Sequence, residues 1–156
     1  MPRPDEQHKV DPPKSDNDYF ERMSRVIFMA GLNWRTLEKK WPGIKTAFAD
    51  FDIDQVAEFG EPEIDGLMKN SDVIRNLPKI RAIISNAQEL QQIIKEQGSV
   101  KDYLRRLRSD GGEEGLRKAV SKRFAFLGPG TTTIWLFSVG EELPQATQEW
   151  EARHGG

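Results

Sequence analysis

Hydrophobic residues recur along this chain with the spacing of α-helices, and no segment shows the strict alternation that predicts a strand. The clearest apolar stripe lies between Ile80 and Ile94, where apolar side chains return every three or four positions. A second stripe begins at Phe20 and predicts a first helix over 18–31. The pattern predicts an all-α fold, a compact domain of many helices.

Glycine and proline divide the rest of the chain into short helical segments. Pro42 and Gly43 predict the end of a second helix, and Gly111 and Gly112 predict a loop. The other expected helices cover 34–41, 44–51, 55–59, 62–69, 79–97, 99–107, 113–124, 131–139 and 145–153.

The 156-residue chain is expected to form one domain over residues 17–153, preceded by a flexible arm over residues 1–16. The arm is polar and rich in proline, and it lacks the apolar core of a signal peptide. No apolar run reaches the roughly 18 residues that a membrane span needs. We expect a monomeric, cytoplasmic protein that does not bind membranes.

The chain contains no cysteine, and its two histidines, His8 and His154, lie near the two ends. Disulfides and cysteine-based zinc sites are therefore excluded, because both require cysteine side chains. We expect neither a metal site nor another cofactor.

The net charge of −2 hides an uneven distribution of charged residues. Residues 50–65 contain seven acidic and no basic residues, whereas residues 101–123 contain eight basic and four acidic residues. For such a basic run alone, a solvated helix face is the favoured explanation. The glycine-rich turn that follows the run makes an anionic partner an equally good explanation.

Gly128-Pro129-Gly130 separates two predicted helices, a basic one before it and an apolar one after it. The free N–H groups that open the second helix face the turn, and the glycines let a phosphate approach closely. This layout is typical of a helix-hairpin-helix, which binds the nucleic-acid backbone without reading sequence, although a plain capping loop is the alternative. The residues predicted to bind the DNA backbone here are Lys122, Arg123, Leu127, Gly128, Gly130, Thr131 and Thr132.

Three segments, residues 20–34, 74–87 and 124–131, together resemble the 3-methyladenine DNA glycosylase I family, a branch of the helix-hairpin-helix glycosylases. The sequence Ala-Gly-Leu-Asn-Trp at 30–34 is specific for the family in combination with the pattern at 74–87, and the match extends over residues 17–145. The resemblance implies a monofunctional DNA repair enzyme. Such an enzyme binds double-stranded DNA, flips an alkylated adenine into a pocket and hydrolyses its N-glycosidic bond.

The resemblance assigns Trp34 to the base pocket, where an indole attracts and stacks on a cationic methylated adenine. Core packing is the alternative role, because Trp34 continues the apolar stripe of the first helix. The resemblance further implies pocket positions for Asn33, Val26, Phe28 and Met29. Arg75, Asn76 and Lys79 lie on a second predicted turn between helices, where Arg75 and Lys79 are expected to contact the DNA backbone of the other strand; capping of the helix that carries Ile80 is the alternative.

The chain departs from the family in two features that matter for chemistry. Val26 stands where the family carries a glutamate that contacts the extruded base, and the family's zinc ligands are missing. Glu21 matches another family carboxylate and is the catalytic candidate, with Glu141 and Glu142 as alternatives after the second hairpin helix. An adenine alkylated at N3 is already positively charged, so it leaves with little help from a general acid.

Three hypotheses about function follow from these residues. The first is a glycosylase that removes 3-methyladenine, and the second is a catalytically weakened homologue that binds DNA as a lesion sensor or accessory factor. The third is a helical protein-interaction module that no longer binds DNA. The first hypothesis predicts release of free methylated base from alkylated duplex DNA. The second predicts salt-dependent DNA binding without release, and the third predicts neither.

Overall fold

The structure is a computed structural model that describes residues 11–154. Within that range the chain forms eight α-helices and no strand, which confirms the predicted all-α fold. Residues 1–10 of the predicted arm, including His8, lie outside the described residues. The helices are α1 (Asp16–Met29), α2 (Trp34–Ala47), α3 (Ile53–Ala57), α4 (Glu61–Lys69), α5 (Leu77–Gln97), α6 (Val100–Arg123), α7 (Pro129–Ser138) and α8 (Pro144–His154).

Helix α1 lies at the centre of the domain, where it contacts α2, α3, α5, α6 and α7. Its fully buried face carries Phe20, Met23 and Ile27, at the spacing that predicted this helix. The Ser15 hydroxyl begins the helix by accepting the N–H of Asp18 at 3.1 Å. The apolar stripe of α1 therefore organises the core around it.

Helix α5 carries the longest of the predicted apolar stripes. Ile80, Ile83, Ala87 and Leu90 are fully buried, while polar residues cover much of the rest of the helix. None of the helices formed by residues 11–154 is long and apolar enough to cross a membrane.

An aromatic cluster joins α1 and α2 to the segment between α2 and α3. The rings of Trp41 and Phe48 each stack nearly parallel to Phe51, with centroids 5.2 and 5.4 Å apart. Phe20 meets Phe51 edge-on, and Phe28 meets Phe48 in the same way. Because these rings bury a large apolar area together, Trp41 is a core residue.

Pro42 does not end α2, contrary to the sequence prediction, because the helix continues past it. Proline removes one hydrogen bond from a helix interior, but Trp41 and Ile44 on either side are buried, and their burial stabilises the helix here. The separate helix predicted over 44–51 is instead the end of α2 and a left-handed turn. That turn covers Ala49–Phe51, whose φ angles are 54° to 55°.

Helix α6 runs through the loop predicted at Gly111 and Gly112, with one break. The break lies at Gly112, where φ is 66° and ψ is −162°. Glu113 follows it and is buried, and its carboxylate accepts the N–H groups of Gln145 and Ala146 at 2.9 and 2.8 Å. The side chain beside the break therefore caps α8.

Candidate nucleic-acid interface

The turn between α6 and α7 presents backbone N–H groups in the arrangement of an anion site. Gly128 caps α7 without a side chain, and Pro129 is the first helical residue. The first intrahelical bond comes from Thr132, whose N–H donates to the Gly128 carbonyl at 2.8 Å. The N–H groups of Gly130 and Thr131 precede it and lack a helical acceptor. Their partial positive charge suits a phosphate oxygen.

The same turn is open to a ligand. Gly128, Pro129 and Gly130 are exposed, and a Cβ atom added to either glycine would meet nothing within 4 Å. A larger side chain at either glycine therefore fits the fold, yet it stands where a phosphate must approach.

Side-chain hydrogen bonds fix the backbone that enters the turn. Asn86 of α5 is fully buried, its Nδ2 donates to the Ala125 carbonyl at 3.0 Å, and its Oδ1 accepts the Ala125 N–H at 2.8 Å. The Leu127 carbonyl accepts the hydroxyls of Ser121 and Thr132 at 2.7 and 3.0 Å. The turn is therefore tied to α5, α6 and α7 before any ligand binds.

The structure corrects three of the predicted backbone contacts. Thr132 is fully buried and its hydroxyl is engaged, because this side of α7 faces the core. Leu127 is buried as well and belongs to the hydrophobic core. The Arg123 guanidinium faces α5, where its Nε lies 2.8 Å from Glu89 Oε2. None of these three side chains is free to bind a phosphate.

Most of the predicted basic surface is neutralised within the protein. Six of the eight basic side chains in residues 101–123 form ion pairs. Arg108 binds Glu141 at 3.0 Å, which also occupies one of the alternative catalytic carboxylates. Lys122 is exposed beside the turn and forms no ion pair with another described residue. Lys101, at the other end of α6, is likewise exposed and forms no ion pair with a described residue, so Lys122 is the available one of the two basic residues predicted to bind the backbone at this turn.

The second predicted contact region, at the start of α5, is only partly available. Asn76 caps this helix by accepting the Lys79 N–H at 3.1 Å. The Lys79 ammonium is buried and donates to the Ala30 carbonyl at 2.7 Å, which corrects its predicted role in DNA binding. Burial lowers the pKa of Lys79. Arg75 is exposed, and its contact with DNA stays a prediction.

The predicted base site lies at the corner between α1 and α2, residues 30–34. Trp34 is 58 % exposed, so the alternative core role is wrong. The Arg35 guanidinium lies 5.9 Å from the centre of its ring, and Leu32 is exposed beside it in sequence. Asn33 begins α2, because its Oδ1 accepts the Arg35 N–H at 2.8 Å. An exposed indole at this corner is available to stack on a base.

The remaining predicted pocket residues lie deeper in the protein. Val26 is buried, and Met29 is partly buried against the core. Phe28 is fully buried in the aromatic cluster, between Trp41 and Phe48, so it is a core residue.

Glu21 holds α1 against α2, and both of its carboxylate oxygens are engaged. Its Oε2 accepts the indole N–H of Trp41 at 2.9 Å, and its Oε1 lies 3.1 Å from the Lys45 ammonium. A catalytic base needs a free oxygen near the reacting group, so the catalytic role of Glu21 stays a prediction that requires one of these two contacts to open.

Two surface grooves of the described residues lie away from Trp34. The larger has a volume of about 680 Å³ and lies between the start of α1, α3 and α5. The smaller, of about 330 Å³, lies at the start of α8. Among residues 11–154 no group of three or more His, Cys, Asp or Glu side chains could hold a metal ion.

Sequence reasoning missed Asn86, which anchors the turn. The available signal was a polar residue inside an apolar stripe, since Ile83 and Ala87 on the same helix are fully buried. A buried amide requires hydrogen-bond partners. The sequence does not say which backbone groups those partners are.

The chain matches the family model described as methyladenine glycosylase over residues 6–122. It is 30 % identical to the DNA-3-methyladenine glycosylase of Haemophilus influenzae, with 78 % of this chain and 75 % of that protein covered. It is 34 % identical to DNA-3-methyladenine glycosylase 1 of Escherichia coli over a shorter region, 52 % of this chain and 44 % of that protein.

Solved structures extend the similarity beyond the region that the family model matches. The structure of 3-methyladenine DNA glycosylase I from Staphylococcus aureus that concerns 3-methyladenine recognition has a TM-score of 0.73. It is 27 % identical, and the match covers 86 % of this chain and 82 % of that one.

Proposed function

This chain belongs to the methyladenine glycosylase family, and we propose that it is a monofunctional DNA glycosylase that removes 3-methyladenine from double-stranded DNA. The observation that carries the proposal is the open turn at Gly128, whose uncapped N–H groups suit a phosphate. Relatives that carry this activity by name are similar over most of the chain.

We propose that the turn at Gly128 binds the DNA backbone and that the corner at residues 30–34 binds the flipped base. The N–H groups of Gly130 and Thr131 and the Lys122 ammonium hold the sugar–phosphate backbone. Trp34 then stacks on the flipped base, and its indole face attracts the positive charge of an adenine methylated at N3. Each site uses residues of one chain, so the proposed form is a monomer. We propose that it acts on DNA in the cytoplasm.

The charge of the lesion supplies much of the driving force for the proposed reaction. Water attacks C1′ of the deoxyribose, and the bond from C1′ to N9 breaks with its electron pair moving to the base. Neutral 3-methyladenine leaves, the water gives its proton to solvent, and an abasic sugar remains. Val26 has no group that accepts a proton, and Glu21 is engaged, so catalysis here rests on flipping, stacking and the cationic leaving group.

This mechanism predicts a narrow substrate range. A cationic base leaves without protonation, whereas a neutral damaged base such as hypoxanthine needs a general acid. We expect release of 3-methyladenine and no detectable release of hypoxanthine from otherwise identical duplexes.

DNA binding without base release is the second candidate function, and the engaged oxygens of Glu21 favour it. The test is an assay for free base released from alkylated duplex DNA, run beside duplex binding at several salt concentrations. Free 3-methyladenine supports the glycosylase. Salt-dependent binding without release supports the second candidate, and absence of both rejects DNA as the partner.

A further inference from the structure

Phe126, in the turn between α6 and α7, combines two properties that rarely occur together. Its side chain is 51 % exposed, although it is large and apolar. Its φ angle is 59°, in the left-handed region that bulky side chains avoid. A folded protein keeps such strain where the surroundings impose it, and strained residues cluster at binding sites.

The neighbours of Phe126 on both sides hold it in this conformation. Asn86 binds both the N–H and the carbonyl of Ala125, at 2.8 and 3.0 Å. The Leu127 carbonyl accepts hydroxyls from Ser121 and Thr132. The backbone of Ala125 and of Leu127, on either side of Phe126, is therefore held by side chains from α5, α6 and α7, while the Phe126 ring is half exposed.

We propose that the Phe126 ring packs against a deoxyribose next to the phosphate that the turn binds. The proposal rests on the proposed DNA-binding function. The segment that carries the ring leads directly into α7, whose first N–H groups, those of Gly130 and Thr131, have no helical acceptor, and Lys122 is exposed four residues before the ring in the chain. A partner that fits this turn must alternate anionic groups with apolar faces. The sugar–phosphate backbone of DNA has that alternation, so the ring gives this contact an apolar component beside its ionic one.

The test compares the affinity of purified variants for an unmodified duplex across a range of salt concentrations. Phe126→Asn is the main variant, because asparagine tolerates the left-handed region and should preserve the turn. We expect a loss of affinity of about tenfold, at the low end of what aromatic contacts to nucleic acid contribute, with an unchanged salt slope. Phe126→Tyr keeps the ring and should retain wild-type affinity.

Thermal melting of each variant controls for folding. If Phe126→Asn melts like the wild type and binds DNA within twofold of it, the ring makes no contact and the inference is wrong. A reduced salt slope also contradicts it, because the loss would then lie in phosphate contacts.

Failure of the proposed function gives a different result. In that case neither the wild type nor any Phe126 variant binds duplex DNA, and both proposals are wrong. A wild type that binds DNA and releases 3-methyladenine, with Phe126→Asn unchanged in affinity, rejects only the role of the ring. Binding of an acidic peptide but not of duplex DNA would replace the proposed partner with a protein.

Discussion

The turn at Gly128 and the corner that carries Trp34 are held in place very differently. The turn receives four side-chain hydrogen bonds to the backbone of Ala125 and Leu127. The corner has the Lys79 bond to Ala30 and the local cap of α2, and its indole is largely exposed. The proposed backbone-binding site is thus held in place by the protein itself, whereas the proposed base site presents one open face.

This difference fits what each region has to recognise. Every nucleotide presents the same phosphate, so donors that are already fixed bind it without the cost of being ordered. A flipped base arrives only after the duplex has been distorted, so an open indole leaves space for that movement. In the proposed complex, the rigid turn binds the phosphate that all nucleotides share, and the open corner binds the one damaged base.

The largest expected effect comes from removing the Asn86 side chain, which holds the turn at Gly128 rigid. Asn86→Ala leaves the partly buried N–H and carbonyl of Ala125 without partners, so we expect a loss of about 1–3 kcal/mol in the free energy of unfolding. Urea denaturation measures it. Duplex affinity should fall as well, because the turn then loses the hydrogen bonds that hold its backbone in place. A loss below about 0.5 kcal/mol, the size of an ordinary surface change, would show that the anchor is dispensable.

A charge placed in the turn tests its function without disturbing its fold. Gly130→Glu fits the open space and puts an acidic side chain at the start of α7, where the helix dipole favours it. It repels the phosphate, and we expect duplex affinity to fall by roughly 10-fold or more, as for a lost charge-assisted hydrogen bond.

The matched control is Gly66→Glu in α4, where an added Cβ also meets nothing within 4 Å. Binding titrations should show near wild-type affinity for this variant. Equal losses in the two glutamate variants would mean that net charge alone explains the effect.

The corner should respond to substitution in catalysis rather than in binding or stability. Trp34→Ala removes a side chain that is mostly exposed, so the melting temperature should stay within a few degrees. We expect the single-turnover rate of base release to fall by about 10-fold, from the lost stacking and cation–π attraction, with duplex affinity changed less than twofold. Trp34→Phe should recover part of the rate. A parallel loss of binding and release would make Trp34 a general DNA contact.

The smallest expected effect concerns the single long-range bond at the corner. Burial lowers the folded-state pKa of Lys79 below its ordinary value of 10.5, so between these two values the unfolded chain binds more protons than the folded one. The stability of the wild type should therefore rise with pH through that window, relative to Lys79→Met. Thermal melts of both proteins on approach to pH 10.5 measure the difference. A difference that stays constant or shrinks would contradict the burial argument.

Sequence patterns predicted the features that are set by residues close together in the chain. The stripe of α5 and the turn at Gly128 were predicted correctly, because helical spacing and glycine chemistry act over a few positions. Pro42 was misleading for the same reason, since the burial that sustains α2 comes from distant rings.

The partners of charged and polar side chains were beyond the reach of the sequence. Lys79 and Arg123 looked like DNA contacts, yet they bind Ala30 and Glu89, which lie 49 and 34 positions away in the chain. Only the packing of α1, α5 and α6 brings those groups together. Long-range pairing therefore decides which basic residues remain for a ligand.

The break in α6 at Gly112 determines which enantiomer of an amino acid fits that position without strain. At Gly112 the backbone adopts φ 66° and ψ −162°, which is the mirror image of ordinary extended backbone, and no neighbouring atom crowds the site. A natural L-amino acid is strained there, whereas a D-amino acid would be relaxed. The relative orientation of the two halves of α6 thus depends on the one achiral residue that the genetic code provides. A chemically synthesised protein with D-alanine at this position should keep that orientation, and L-alanine should not.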